Sequence, residues 1–265
     1  MHIEANGTTF FVETAGKPDA PPVLLIHSLS ADHEAWRPQI PALTEHFRVI
    51  APDIRGHGKS RATPPPYAME TLADDMAAIL DALDVPAAHV VGLSIGGMIA
   101  QTMALNHAER VNSLLLAATA SEMNAERRKV WDDRIASVER DGVEQLVEPT
   151  LQRWFTPPTH DGDPETVRLC AAMIRRTPPE AYMGCAAAIR DLNLTARLGE
   201  ISVPTLIFSA DQDASTPPEL QAMIRDAVPN ARLETFTGTA HQIGLERPQR
   251  FNELMMGFLK LAQAR

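Results

Sequence analysis

The pentapeptide Gly92-Leu93-Ser94-Ile95-Gly96 follows an apolar run, His89-Val90-Val91, and leads into a helical pattern over 97–104. Strand, sharp turn and helix in that order put a serine at the apex of the turn, with its hydroxyl thrust away from the sheet. The two glycines permit the turn, because a Cβ at either place would meet neighbouring backbone. A strand that runs straight into its own helix constrains the chain to an α/β arrangement. The serine at the apex turns the question from fold to chemistry.

The rest of the chain alternates in the same way. Apolar or alternating runs at 8–14, 23–27, 47–53, 111–117, 203–209 and 232–236 predict strands. Helical patterns cover 33–46, 69–83, 218–228 and 248–264, the second with Leu72, Met76, Ile79, Leu80 and Leu83 on one face. Short, wholly apolar runs such as Val23-Leu24-Leu25-Ile26 are those of strands buried on both faces. This predicts a mainly parallel twisted sheet with helices on both faces. Between 121 and 198 no strand is evident, and prolines at 149, 157, 158, 164, 178 and 179 break helical patterns. The expected organisation is a core of residues 1–120 and 199–265 with a helical cap, 121–198, inserted over the carboxyl ends of the strands, where sites form in such sheets.

Composition excludes several function classes. A formal net charge of −10 argues against non-specific binding to nucleic acid or to an anionic membrane. No apolar run approaches the ~18 residues that span a bilayer, and the first residues, Met1-His2-Ile3-Glu4-Ala5, lack the basic and apolar regions of a signal peptide. Two cysteines, Cys170 and Cys185, make neither a disulfide framework nor a zinc site. A cytoplasmic protein with reduced thiols is expected, with no metal or organic cofactor. Its partner is a small molecule, and a homo-oligomer is left open.

A serine hydroxyl needs a base to attack a carbonyl, and the base needs an orienting acid. His241 lies between the last predicted strand and the last helix. Asp213 lies just past the strand at 203–209, ahead of Thr216-Pro217. The order Ser94, Asp213, His241 is the one this architecture uses. Asp211 competes with Asp213 and is read as a turn or capping residue. For an oxyanion, the donors are the backbone N–H of Ile95, at the helix start, and that of Leu29, in the loop His27-Ser28-Leu29-Ser30. The stretch 53–60, Asp-Ile-Arg-Gly-His-Gly-Lys-Ser, lacks P-loop context and is read as structural, with Asp53 and Arg55 paired and His57 not a base.

Together the Asp-x-Arg-Gly-x-Gly-x-Ser stretch, the elbow, the acid turn and the late histidine resemble the α/β-hydrolase family over essentially the whole chain. Arg153-Trp154-Phe155-Thr156-Pro157, the segment 180–191 and His27-Ser28-Leu29 are similar to 3-oxoadipate enol-lactonases. The resemblance implies hydrolysis of an enol-lactone through an acyl-enzyme, in aromatic catabolism. Such a substrate carries a carboxylate, for which Arg153, Arg190 and Arg134 are the candidates. Ser28, Trp131 and Trp154 are expected to line the substrate pocket. Ser30 stands where the family usually has glycine, and Ala240 where glycine or serine is usual; both bear on the substrate. A general carboxylesterase, or a perhydrolase or carbon–carbon hydrolase on the same triad, are the rival readings. A non-catalytic receptor is disfavoured by the intact Ser-Asp-His set. Epoxide hydrolase and dehalogenase chemistry need an aspartate where this chain has Ser94.

Overall fold

Wholly apolar strands need cover on both faces, and the chain provides it. The computed structural model describes residues 1–264. Its strands are β1 (His2–Ala5), β2 (Thr8–Ala15), β3 (Pro22–Ile26), β4 (Arg48–Pro52), β5 (Ala88–Leu93), β6 (Val111–Ala117), β7 (Thr205–Ala210) and β8 (Arg232–Phe236). They form one eight-stranded sheet in the order β1-β2-β4-β3-β5-β6-β7-β8. The β1–β2 and β2–β4 pairs are antiparallel, and every pairing from β4 to β8 is parallel.

The helices are α1 (Ile40–Leu43), α2 (Met69–Ala82), α3 (Ile95–Asn106), α4 (Ala125–Asp141), α5 (Val147–Trp154), α6 (Pro157–Gly162), α7 (Pro164–Arg176), α8 (Pro179–Arg190), α9 (Pro218–Ala227), α10 (Ile243–Glu246) and α11 (Pro248–Gln263). Side chains alternate across a strand, and that alternation sorts the core into two layers. Leu24, Ile26, Val90, Leu114 and Leu116 pack with α2, α3 and α9. Their neighbours Val23, Leu25, Val91, Leu115 and Ala117 pack with Leu43 of α1 and with Phe251, Met255 and Phe258 of α11. A third cluster joins Leu151 and Trp154 of α5 to Cys170, Met173 and Ile174 of α7, and rests on Ala31, Ala35 and Leu245. Of the five helices between β6 and β7, α5 and α7 therefore rest on the loop after β3 and on α10, while α8 packs Cys185, Ala188 and Ile189 against the layer of α2 and α3.

One expected helix changes and two short elements are added. The helix predicted over 33–46 is a 3-10 turn at His33–Trp36 followed by the single turn α1. Pro38 and Pro41 divide it, since proline has no N–H to continue a helix but is tolerated in a first turn. The helix expected from Pro248 begins there as α11, and a separate single turn, α10, precedes it. Strand β1 was not expected; it pairs with β2 across Asn6-Gly7, whose φ values of 40° and 76° are those of a tight hairpin turn. No helix among the described residues is long and apolar enough to cross a membrane.

Candidate active site

The elbow forms at the carboxyl end of the central strand β5. Ser94 has φ 58° and ψ −117°, a left-handed conformation that costs energy for a residue with a Cβ. Its surroundings hold it there. Ser94 N–H donates to Ala117 O at 2.9 Å, as a continuing strand would. Ser94 O accepts from Gly97 N at 2.9 Å, from Met98 N at 3.1 Å and from Thr119 Oγ1 at 2.7 Å. A Cβ on Gly96 would run into Ile26 O, and one on Gly92 into Gly96 O, so the helix can approach the sheet only with glycine at both positions.

Asp213 and His241 come from the loops after β7 and β8, the two neighbouring strands at one edge of the sheet. His241 Nδ1–H donates to Asp213 Oδ2 at 2.8 Å. Asp213 also accepts from Ser215 N at 2.7 Å, Thr216 N at 3.0 Å and Thr216 Oγ1 at 2.7 Å. Both residues are 3% exposed. Burial alone would raise the Asp213 pKa; the facing imidazole and these hydrogen bonds outweigh it and hold the carboxyl below its ordinary value. Asp211 does a different task, accepting from Gly238 N at 2.8 Å and so fastening the loop after β7 to the loop after β8.

Ser94 and His241 open onto one cavity of about 360 Å³, also lined by Ser28, Leu29, Ser30, Trp131, Arg134, Arg153, Trp154 and Tyr182. Neither Leu29 N–H nor Ile95 N–H donates to another group among the described residues. Ser30 has φ 61°, the left-handed conformation that glycine takes without strain. Its neighbour Ser28 accepts, at Oγ, from Gln242 Nε2 at 2.9 Å.

The arginines separate. Arg134 lies over the Trp131 ring, 4.7 Å from its centroid. Arg153 donates to Thr150 Oγ1 at 3.1 Å. Neither has a carboxylate partner among the described residues. Burial, with Arg134 beside it, pulls the Arg153 guanidinium below its ordinary pKa, which marks a cation short of counter-charge. Arg190, expected at the same place, ends α8 outside this cavity. It pairs there with Asp132 at 3.1 Å and Asp191 at 2.7 Å and lines a separate hollow beside Tyr67 and Leu192.

The 53–60 stretch is structural, but its expected internal pair does not form. Arg55 reaches Asp75 of α2, with Nε 2.9 Å from Oδ2. Asp53 instead accepts from His33 Nδ1 at 2.7 Å and Lys59 N at 2.8 Å. The backbone turns within this stretch, so neighbours in sequence face different elements. His57 is fully buried, and burial drives its pKa down to about 3. Cys170 and Cys185 are both buried, and burial raises both thiols, Cys170 to about 12. Sequence reasoning passed over Thr119, Thr216, Gln242 and Glu246. Only Thr216 carried a local signal, in the Thr-Pro turn after Asp213.

The sequence profile of the alpha/beta hydrolase fold family matches residues 21–248. The chain is 30% identical to 3-oxoadipate enol-lactonase 1 of Acinetobacter baylyi, over 99% of this chain and 97% of that protein. The crystal structure of the enol-lactonase from Burkholderia xenovorans LB400 superposes with a TM-score of 0.95 at 30% identity, covering 98% of this chain and all of that one. A thermophilic esterase from Thermogutta terrifontis, solved with malate bound, superposes with a TM-score of 0.93 at 27% identity, covering 99% of each chain. The chain belongs to the α/β-hydrolase family and is a hydrolytic enzyme.

Proposed function

We propose that this α/β-hydrolase is a serine hydrolase that opens a small enol-lactone or cleaves a small carboxylic ester bearing a carboxylate, through an acyl-enzyme. The observation that carries the reading is that Ser94, raised on its elbow, shares one cavity with His241, whose Nδ1–H is held by Asp213. An imidazole that donates from Nδ1 keeps Nε2 unprotonated and free to accept a proton.

In this reading Ser94 Oγ attacks the acyl carbon as its proton passes to His241 Nε2. The carbonyl oxygen becomes an oxyanion facing the N–H groups of Leu29 and Ile95. Collapse breaks the acyl–oxygen bond, and His241 gives the proton to the leaving oxygen, which in a lactone stays tethered to the acyl group. Water, losing a proton to His241, then attacks the acyl carbon. The second collapse releases the carboxylic acid and returns the proton to Ser94 Oγ. Residues 121–198 are read as the cap that closes this cavity over the core.

The cavity arginines support a substrate with a free carboxylate. Arg134 and Arg153 line a pocket, with Arg127 and Glu126 also on its wall, in a chain of net charge −10, and neither forms an ion pair with a carboxylate among the described residues; an arginine fork binds a carboxylate well. The enol-lactonase relatives and the malate-bound esterase agree with that preference. The test is a steady-state assay on 3-oxoadipate enol-lactone beside p-nitrophenyl acetate and butyrate, with Ser94→Ala as control. Fast lactone turnover with weak ester turnover supports the lactonase. The reverse assigns a general carboxylesterase, and full activity in Ser94→Ala removes the serine mechanism.

A further inference from the structure

Glu246 is a buried carboxylate, 7% exposed, that no cation neutralises among the described residues. Its neighbour Arg247 points elsewhere, to the main-chain oxygens of Glu246 and Gly238. The carboxylate is satisfied by donors alone. Oε1 accepts from Thr156 N and Thr156 Oγ1, both at 2.8 Å, and Oε2 accepts from Ala240 N at 2.5 Å. Thr156 stands at the junction of α5 and α6, and Ala240 immediately precedes His241. On the other side of His241, Gln242 N donates to Trp154 O at 3.0 Å. Both chain neighbours of His241 are therefore fastened to residues 154–156, next to Arg153 and Trp154 on the cavity wall.

We propose that Glu246 is a positioning residue that fixes the His241 loop to the α5–α6 junction, so that the imidazole is aligned only when that junction is seated. The proposal rests on the reading of His241 as the base. Glu246 touches no reacting atom; it acts through the backbone of Ala240. Two oxygens facing two sets of N–H and O–H donors need a carboxylate. A glutamine of the same size must turn its own NH2 towards either Ala240 N–H or Thr156 N–H, leaving a buried donor facing a donor.

The experiment compares Glu246→Gln, Thr156→Val and Thr156→Ser with the parent enzyme on p-nitrophenyl acetate and on the lactone. Rates are expressed per active site titrated by the acyl burst, which removes loss of folded protein from the comparison. Displacement of a catalytic group by about 1 Å costs on the order of a hundredfold, so kcat in Glu246→Gln is expected to fall about ten- to a hundredfold, with KM within about threefold. Thr156→Val keeps the N–H and loses the hydroxyl, so a fall of about threefold is expected, which Thr156→Ser restores. The downfield proton resonance of the His241–Asp213 hydrogen bond should broaden in Glu246→Gln and stay sharp in Thr156→Ser. A merely structural Glu246 lowers the melting temperature while kcat per site and the resonance stay at parent values; that result overturns the proposal. Should Glu246→Gln not fold, Thr156→Val with parent kcat overturns it equally. Activity surviving in Ser94→Ala removes the underlying mechanism, whereas a dead Ser94→Ala beside an unimpaired Glu246→Gln removes only the positioning role.

Discussion

Asp213 Oδ2 and His241 Nδ1 lie 2.8 Å apart, although 28 residues separate them in the chain. The contact exists because β7 and β8 are parallel neighbours, paired from Leu206–Arg232 to Ala210–Phe236, so their following loops leave the sheet at the same edge. Asp211, two residues earlier, faces Gly238 instead.

This geometry separates the two aspartates by experiment. Asp213→Asn offers His241 an amide in place of a carboxylate, which favours the wrong tautomer, and kcat should fall about 10⁴-fold, as in the serine-protease precedent. Asp211→Asn keeps the accepting Oδ1 and should leave kcat within about threefold. Equal losses in the two variants would show that Asp213 has no special place.

Arg153 should discriminate by substrate charge. Arg153→Met is expected to raise KM for a carboxylate-bearing substrate about tenfold or more, the worth of a charge-assisted hydrogen bond, while KM for p-nitrophenyl acetate moves by less than about threefold. Arg190→Met, which loses only its pairs with Asp132 and Asp191, should leave the ratio of the two substrates unchanged. An unaltered ratio in Arg153→Met would reject the carboxylate subsite.

His27 links the site to pH. Its Nε2 accepts from Ile54 N at 2.9 Å, so Nδ1 carries the proton and donates to Ser28 O at 2.8 Å. The ring is fully buried, and burial lowers its pKa to about 4 from the model-peptide 6.5. The unfolded chain takes up a proton as pH falls below about 6.5, whereas the folded ring does not until about 4. Its contribution to stability is thus fully present above the unfolded pKa and is lost as pH falls through that window. Between pH 8 and pH 5 the loss amounts to about 2 kcal/mol. Urea unfolding of the parent and of His27→Gln at both pH values measures it: the variant should lose about 2 kcal/mol less. Identical pH slopes would rule the effect out.

Gly96 is a steric requirement of the elbow. Gly96→Ala places a Cβ against Ile26 O, and within 2.9 Å of His27 O. Both contacts are backbone and cannot rotate away. A loss of at least about 3 kcal/mol in unfolding free energy is expected, read by thermal and urea denaturation. Parent-like stability would mean that helix α3 can withdraw from the sheet.

Much of this molecule is legible in its sequence. The bounds of β8 and the start of α2 follow from periodicity alone, and Gly92-x-Ser94-x-Gly96 announces a strand-to-helix turn. The hairpin of β1 was also written there, in Asn6-Gly7, but a four-residue strand offers too short an alternation to read. The 33–46 stretch misleads because its apolar spacing is helical while Pro38 and Pro41 interrupt the hydrogen bonds that would sustain one helix. Arg55 and Asp53 look like a pair in sequence, yet the turn between them sends one to α2 and the other to His33.

By itself the sequence determined the alternation of strands and helices, the serine at the elbow, and the placing of Ser94, Asp213 and His241 each after a strand. These depend on side-chain period, backbone sterics and chain direction, all local quantities. The tertiary structure alone decided which arginines face the cavity. It set Arg153 and Arg134 on the wall and turned Arg190 away to Asp132 and Asp191. It also decided that Glu246 ties Thr156 to the loop of His241. Those partners are fixed by how helices seat on the sheet and by where buried polar groups find donors, and neither is encoded by any short stretch of chain.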